Sequence, residues 1–224
     1  MAIQNRTQAG KLPSGYRMKK AGTRGEIYLY GVIGVDWFGD GISAKQFADD
    51  LKALGQVETI DLRINSEGGD VFAGKAMYTL LVDHRAKVVT HIDGLAASAA
   101  SYVAMAGDEI LISEAAYLMI HNAWTVAVGG AEDMRRTADL LDSVNGTVRD
   151  VYAARTKNSA DKLKKWMDEE TWFTGKEAVD NGFADKLVEN LKVAASVRDP
   201  KRFKNMPNAL LPNRARVAAA LARS

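Results

Sequence analysis

The sequence contains no cysteine, which excludes disulfide bonds, thiol catalysis and cysteine-ligated metal sites. Its three histidines, His84, His91 and His121, are dispersed and have no second ligand at a metal-binding spacing, so we expect no metal and no other cofactor. No stretch approaches the roughly 18 consecutive apolar residues that indicate a membrane span, and the first residues lack the apolar core of a signal peptide. We therefore expect a cytoplasmic protein without membrane contact.

Proline is also scarce, and it avoids the central part of the chain. The four prolines are Pro13, Pro200, Pro207 and Pro212. Residues 1–24 hold six basic and no acidic residues, and residues 191–224 hold eight basic residues and one acidic residue. We expect a basic N-terminal arm (1–24), one folded domain (25–190) and a basic C-terminal extension (191–224). Such arms are usually solvated tails, and contact with nucleic acid or an acidic partner is the second interpretation.

Apolar periodicity predicts strands and helices that alternate along the central part. Strands are predicted over Glu26–Ile33, Glu58–Asn65, Lys87–Asp93, Glu109–Ser113, Ala116–Ile120 and Phe183–Val188. Helices are predicted from Ser43, over Val71–Leu81, after Ser98, over Ala131–Lys157, from Ser159, and after the capping box of Thr174 and Glu177. Strands that alternate with helices indicate parallel βαβ units, and therefore an α/β fold.

The most informative stretch reads GLAASAAS from Gly94 to Ser101 and places a serine between a predicted strand and a predicted helix. The hydroxyl of Ser98 then lies beside first-turn N–H groups, which stabilise negative charge on a nearby oxygen. Its small neighbours allow a substrate backbone to approach closely. A serine at such a turn is more often a helix cap, so its interpretation as a nucleophile depends on its partners.

A base for this serine has to come from the three histidines. His84 closes a helical pattern and His91 lies within a predicted strand, so structural roles are favoured for both. His121 follows the apolar stretch that ends at Ile120 and precedes a loop. Because the end of a strand is a position from which a base can face a cleft, we predict His121 as the general base.

A second glycine cluster reads INSEGGDV from Ile64 to Val71, where a predicted strand meets a predicted helix. Gly68 and Gly69 permit positive φ angles and expose backbone N–H groups that can receive an oxyanion. The same glycines, with a strand-like edge at Val71, can also bind an extended substrate through main-chain hydrogen bonds. Taken alone, the cluster fits an ordinary tight turn equally well.

Together, three motifs resemble the proteolytic subunit of the Clp protease, ClpP. They are INSxGGxVxxG, GxAASxA and MIH, with Gly69 29 positions before Ser98 and His121 23 positions after it. The resemblance runs from about residue 26 to residue 190 and implies a ClpP/crotonase-like spiral of ββα units. Ser98 and His121 then correspond to the nucleophile and the general base of a serine peptidase. The amides of Gly69 and Ala99 correspond to its oxyanion hole.

The acidic member of the family's catalytic triad is less well matched. The family has an aspartate shortly before a Glu-Ala-Val helix, and alignment on Glu177, Ala178 and Val179 places Glu170 at that position. A glutamate can orient an imidazole as an aspartate does. Asp168 is the rival candidate, and a solvated helix end is the alternative for both carboxylates.

The long helical pattern over Ala131–Lys157 corresponds in ClpP to the projecting handle helix through which two rings meet. The resemblance therefore implies a homo-oligomer, a heptameric ring or stacked rings, assembled through this helix. A helix packed on its own subunit is the alternative for the same apolar stripe. The chain has no Walker motif, so any ATP-driven unfolding belongs to a separate AAA+ partner.

The basic extension after residue 190 is longer than the end of a housekeeping ClpP. It is similar to the tails of ClpP-related head maturation proteases of tailed bacteriophages, which trim capsid and scaffold proteins. We therefore expect a serine endopeptidase of that kind, acting on protein in the host cytoplasm or the prohead. The alternatives are a bacterial ClpP paralogue that works with an ATPase partner, and a catalytically silent capsid-assembly scaffold of the same fold. A crotonase-type acyl-CoA enzyme shares the spiral but needs neither Ser98 nor His121 in this register.

Overall fold

The computed structural model describes residues 15–35, 41–189, 197 and 200–210. The strands are β1 (Arg17–Ala21), β2 (Arg24–Val35), β3 (Gly41–Ile42), β4 (Thr59–Gly69), β5 (Lys87–Ala97), β6 (Glu109–Ser113), β7 (Tyr117–Ile120), β8 (Thr171–Thr174) and β9 (Lys186–Val188). The helices are α1 (Ala44–Leu54), α2 (Val71–Val82), α3 (Ala99–Ala104), α4 (Ala131–Thr156), α5 (Ala160–Asp168) and α6 (Gly175–Asp180), and short 3-10 turns cover Pro200–Arg202 and Asn208–Leu210. This alternation is the α/β fold that the sequence predicts.

Within the described residues, the strands form one mixed sheet in the order β1-β2-β4-β5-β6-β9. The neighbours β2, β4, β5, β6 and β9 run parallel to one another. Parallel neighbours need a connection that returns the chain to the same edge of the sheet, and α1, α2 and α3 supply it between β2 and β6. The predicted βαβ units are therefore confirmed.

β5 changes partner halfway along its length. Its residues 89–92 pair with β6, whereas residues 95–97 pair with β7, and β7 pairs with β8 on its other side. The second half of β5 therefore exchanges β6 for β7 on one side, while Ala96 still pairs with Ser66 of β4 on the other side. Since β5 and β7 are parallel, the residues that follow their carboxyl ends emerge side by side.

The core lies between the sheet and the helices that cross it. Ile27, Leu29, Leu62 and Ile64 of β2 and β4 alternate toward it and are fully buried. α1 contributes the predicted stripe of buried side chains, Phe47, Leu51 and Leu54. Burying one such side chain contributes about 1.5–3 kcal/mol to the free energy of folding. This apolar layer therefore holds the strands, and the residues at their ends, in place.

α4 is the longest helix in the described part of the chain, with 26 residues and a length of about 39 Å. Val144, Val148 and Tyr152 in its second half are buried against the domain, whereas Met134 and Leu140 in its first half are exposed. The second half of the helix is therefore packed on its own subunit, whereas the first half remains exposed. None of the described helices is long and apolar enough to cross a membrane.

The structure corrects four of the predicted boundaries. Residues 17–21, assigned to the N-terminal arm from their charge, form β1 and pair antiparallel with β2. β1 lies at the edge of the sheet, where basic side chains remain solvated and discourage pairing with another chain. β4 and β5 continue beyond their predicted ends to Gly69 and Ala97, and the last strand begins at Lys186 because Phe183 turns into the core.

Candidate active site

Ser98 forms the turn between β5 and α3. Its φ of 54° and ψ of −126° lie in a region that L-residues rarely adopt, at a cost of order 1–3 kcal/mol. The neighbouring Ala97 and Ala99 are buried, while Ser98 keeps partial exposure. Its side chain makes no capping hydrogen bond to α3, so the interpretation as an ordinary helix cap is wrong. A strained strand-to-helix turn instead presents the hydroxyl outward, as in a nucleophile elbow.

His121 directly follows β7, which is the strand that pairs with the end of β5. Ala97 lies opposite Met119 in this ladder, and the Ser98 N–H donates to the Met119 carbonyl over 3.0 Å. The register places His121 beside Ser98, with 2.8 Å between Nε2 and the serine Oγ. An imidazole nitrogen at this distance can take the hydroxyl proton. The structure thus brings these two predicted residues together.

The other two histidines lie elsewhere. His84 Nδ1 accepts the Ala86 N–H over 3.1 Å after the end of α2. His91 Nε2 lies 3.2 Å from a carboxylate oxygen of Asp61 within the main sheet. Both contacts are local to the framework, as the sequence indicates.

Gly69 and Ala99 border the same cleft as Ser98. Gly69 has a φ of 144°, and a Cβ at this position would lie 2.0 Å from the Ile33 carbonyl oxygen, so only glycine fits. Ala99 opens α3, where first-turn N–H groups have no intrahelical acceptor. Main-chain groups of the kind that an oxyanion hole requires are therefore present beside the serine.

Gly68 and Val71 differ from their predicted roles in substrate binding. Gly68 packs behind the serine turn, since a Cβ there would lie 2.8 Å from the Ser98 Cβ, and it is not among the residues that line the cleft. Val71 does line the cleft, but as the first residue of α2. The predicted strand-like edge at Val71 is wrong because Asp70 caps a helix there, with its carboxylate accepting the Ala73 N–H over 2.6 Å.

The cleft has a volume of about 480 Å³ and is lined mainly by apolar side chains. Leu141, Val144 and Val148 of α4 form part of its wall, and the exposed side chains of Phe72 and Trp124 lie along it. In the part of the chain that the structure describes, no group of three or more His, Asp or Glu side chains could hold a metal ion. The polar residues of the cleft include Ser98 and His121, and Glu67, Asp70, Thr125 and Arg202 also line it.

Glu170 is buried, but its carboxylate is bound by other donors than His121. It accepts hydrogen bonds from Trp172 Nε1 (3.2 Å), the Lys204 N–H (3.0 Å) and the Asn205 N–H (2.8 Å). Within the described residues, no carboxylate is hydrogen-bonded to the imidazole. Glu170 acts on His121 through its charge, which raises the pKa of the imidazole.

The rival Asp168 lies at the surface. Its carboxylate accepts hydrogen bonds from Lys164 Nζ over 2.7 Å and from Asn122 Nδ2 over 2.8 Å, and both lower its pKa. Asp168 thus contacts Asn122, the residue after His121, whereas the carboxylate whose charge acts on the imidazole is that of Glu170. The structure favours Glu170 on electrostatic grounds but does not complete a hydrogen-bonded triad.

The pKa of His121 is lowered from its ordinary value, mainly because burial disfavours the imidazolium. The positive charges of Arg202 and Lys204 lower it further, against the opposing effect of Glu170. A lowered pKa keeps the imidazole neutral near pH 7, which is the form that accepts a proton.

Residues 200–210 pack against this site, where the sequence predicts a solvated tail. The Phe203 ring lies 6.4 Å from the His121 ring and stacks edge-on against Trp172 at 5.3 Å. Phe203 also joins a small apolar cluster that includes Leu95 and Met119. This part of the extension is therefore not a solvated tail, and a single aromatic residue within a basic stretch was its only signal.

Comparison with known proteins agrees with this geometry. The family model described as Clp protease matches residues 40–191. The chain is 32% identical over 141 residues to the ATP-dependent Clp protease proteolytic subunit 2 of Bifidobacterium longum (strain NCC 2705), an alignment that covers 62% of this chain and 68% of that protein. It is 29% identical over 167 residues to the ATP-dependent Clp protease proteolytic subunit 1 of Leifsonia xyli subsp. xyli (strain CTCB07), covering 71% and 85%. The chain therefore belongs to the Clp protease family.

Proposed function

We propose that this protein is a serine endopeptidase in which Ser98 is the nucleophile and His121 the general base. The observation that carries the proposal is the 2.8 Å contact between Oγ and Nε2 at a serine with a positive φ. Nucleophile and base within hydrogen-bond reach are the geometric signature of covalent catalysis. Membership of a protease family supports the same chemistry.

The reaction follows from the positions of these groups. His121 takes the hydroxyl proton as Oγ bonds to the scissile carbonyl carbon, and the oxyanion forms beside the amides of Gly69 and Ala99. The imidazolium then gives its proton to the leaving amine as the C–N bond breaks. Water, deprotonated by His121, releases the acyl group and restores Ser98. Glu170 stabilises the imidazolium through its negative charge.

The cleft fits a peptide with an apolar side chain near the cleaved bond. Leu141, Val144 and Val148 offer apolar contacts close to Ser98, and the exposed Phe72 and Trp124 extend the apolar surface. Clefts of this kind are typical binding sites, with a few polar groups that fix orientation. Protein or peptide is therefore the proposed substrate.

The narrower role that we propose is trimming of capsid or scaffold protein, as in ClpP-related head maturation proteases of tailed bacteriophages. The C-terminal extension supports it, because residues 200–210 are built into the surroundings of His121. The relatives are named as subunits of ATP-dependent proteases, so a bacterial paralogue with an ATPase partner is the second candidate. Cleavage of folded substrate without ATP would support the first, and an absolute requirement for an ATPase would support the second.

We propose that the first half of α4 mediates self-association. Its exposed Met134 lies within residues 131–136, all of which are exposed, and a second copy is the partner of matching chemistry. The Met134→Glu variant is expected to shift the particle mass measured by light scattering toward 24.3 kDa.

The function is tested by the Ser98→Ala variant. It is expected to lose peptide cleavage and labelling by a fluorophosphonate, since the attacking oxygen is absent. Ser43→Ala, which removes a remote serine at the start of α1, is the matched control and should be labelled as the wild type is. Intact-mass spectrometry gives the labelled fraction directly. Equal cleavage by the Ser98→Ala variant and the wild type would refute the assignment.

A further inference from the structure

Ser101 and Tyr152 form a buried polar pair beneath the serine turn. Ser101 lies on α3 and Tyr152 near the end of α4, and their side-chain oxygens are 2.8 Å apart although the residues are 51 positions apart in the chain. Ser101 is 0% and Tyr152 1% exposed. Burying a hydroxyl group costs free energy unless it is hydrogen-bonded, so the hydrogen-bond partners of this pair indicate its structural role.

The pair is directed at the main chain of Ser98. The Ser101 hydroxyl donates to the Ser98 carbonyl oxygen over 2.6 Å. A serine hydroxyl has one hydrogen, so the Tyr152 hydroxyl is the donor to Ser101. Burial raises the pKa of Tyr152, which keeps this donor protonated. The hydrogen bonds thus run from Tyr152 to Ser101 and on to the carbonyl of Ser98.

This carbonyl belongs to the peptide group that also carries the Ala99 N–H. Carbonyl and N–H of a planar trans peptide point in opposite directions, so fixing one fixes the other. The Ser98 carbonyl also accepts the N–H groups of Ser101 (3.0 Å) and Tyr102 (3.3 Å). Hydrogen bonds that hold the Ser98 carbonyl toward α3 therefore hold the Ala99 N–H on the opposite side of the peptide, and Ala99 borders the cleft.

We propose that Ser101 and Tyr152 are positioning residues, which orient the Ser98–Ala99 peptide so that the Ala99 N–H meets the oxyanion in the transition state. This rests on the proposed serine peptidase function and adds two residues that do not touch the reacting atoms. The strained dihedral angles of Ser98 explain why the peptide needs such support.

Kinetics of the Tyr152→Phe and Ser101→Ala variants test the proposal. Each is expected to lower kcat about 3- to 10-fold, because an oxyanion contact is worth most in the transition state, while KM stays within about twofold. The inhibition constant of a peptide aldehyde, whose adduct carries the oxyanion, should rise by the same factor. The double variant should lose no more than Ser101→Ala alone, since the two hydroxyls act as one unit.

Tyr78→Phe is the matched control. The Tyr78 ring lies tilted against Tyr102 with 4.8 Å between the ring centroids, so Tyr78 is also a tyrosine packed on α3, and its variant should keep the wild-type kcat. A lower thermal midpoint for the Tyr152→Phe and Ser101→Ala variants, with unchanged kcat and inhibition constant, would assign the pair to stability and overturn the proposal.

Hydrogen–deuterium exchange of residues 95–105 gives a readout that needs no activity. Tyr152→Phe and Ser101→Ala should both accelerate amide exchange in this segment, and Tyr78→Phe should not. Faster exchange together with a wild type that neither cleaves peptide nor reacts with fluorophosphonate would refute the peptidase function and leave the positioning role standing. Unchanged exchange would overturn the positioning role, whether or not the wild type is active.

Discussion

The two halves of the candidate site are built in different ways. Ser98 and His121 lie at the ends of paired strands, and the register of β5 and β7 sets the distance between them. Glu170 and Asp168 lie where α5 ends, and their carboxylates bind side chains and main-chain groups nearby. Glu170 binds residues 204 and 205 of the C-terminal extension, whereas Asp168 binds Lys164 and Asn122.

The first half therefore has a fixed geometry, whereas the second half acts on His121 through charge and its effect can vary in size. Ser98 and His121 are positioned by a sheet whose core side chains are fully buried, so their contact is maintained without substrate. The acid is held by a segment that contributes little to the core, and it acts on the imidazole through charge alone. We therefore expect large losses from changes in the first half and smaller, graded effects from changes in the second.

The largest effect among the following tests is expected for Gly69→Ala. The new Cβ would lie 2.0 Å from the Ile33 carbonyl oxygen at a φ of 144°, so the main chain beside Ser98 must move. Displacing one oxyanion donor costs about 100- to 1,000-fold in kcat. Gly146→Ala on α4 is the control, because its Cβ has no atom within 4 Å, and it should stabilise the fold by about 0.5–1 kcal/mol. Equal kcat values for the two variants would show that the glycine has no catalytic role.

The rigid half is also the half that the sequence predicts well. Ser98 and His121 each follow an apolar stretch, Gly69 lies in a glycine cluster at the end of a strand, and strand pairing brings these local patterns together. Their residue types also match the motifs of a family, which the family model then supports. Local pattern and global fold agree here, as minimal frustration requires.

The contacts of Glu170, and those of the Ser101–Tyr152 pair, cannot be predicted from the spacing of apolar residues. The carboxylate of Glu170 is bound by Lys204, 34 positions later in the chain, within a basic stretch that looks like a tail. The Ser101–Tyr152 pair spans 51 positions and joins two helices whose patterns reveal only their apolar faces. Side-chain hydrogen bonds of this kind depend on tertiary packing. The sequence therefore shows which polar residues are present but does not predict which of them pair.

A comparison of Glu170→Gln with Asp168→Asn decides between the two carboxylates. Removing the buried charge of Glu170 destabilises the imidazolium, so kcat is expected to fall by about 10-fold. Asp168→Asn removes an exposed charge paired with Lys164, so kcat should stay within about twofold. A greater loss from Asp168→Asn than from Glu170→Gln would transfer the acidic role to Asp168.

The smallest and most specific effect is expected in the pH dependence of kcat/KM. His121 must be neutral to act as a base, so activity falls as pH drops through its pKa, which lies below the ordinary value of 6.5. Lys204→Gln removes a charge that lowers this pKa and should move the acid limb to higher pH. It keeps the Lys204 N–H that Glu170 accepts. Glu170→Gln removes a charge that raises the pKa and should move the limb to lower pH.

Lys45→Gln, which removes an exposed cation of α1 paired with Asp49, is the control for net charge and should leave the limb in place. Opposite shifts from Lys204→Gln and Glu170→Gln would establish that the imidazole is tuned by the carboxylate and by the extension together. Shifts in the same direction would contradict that account, because the two charges have opposite signs. The shift also falls with added salt if the charges act through solvent, and persists if burial shields them. Salt dependence therefore measures how closely residues 200–210 cover His121 in solution.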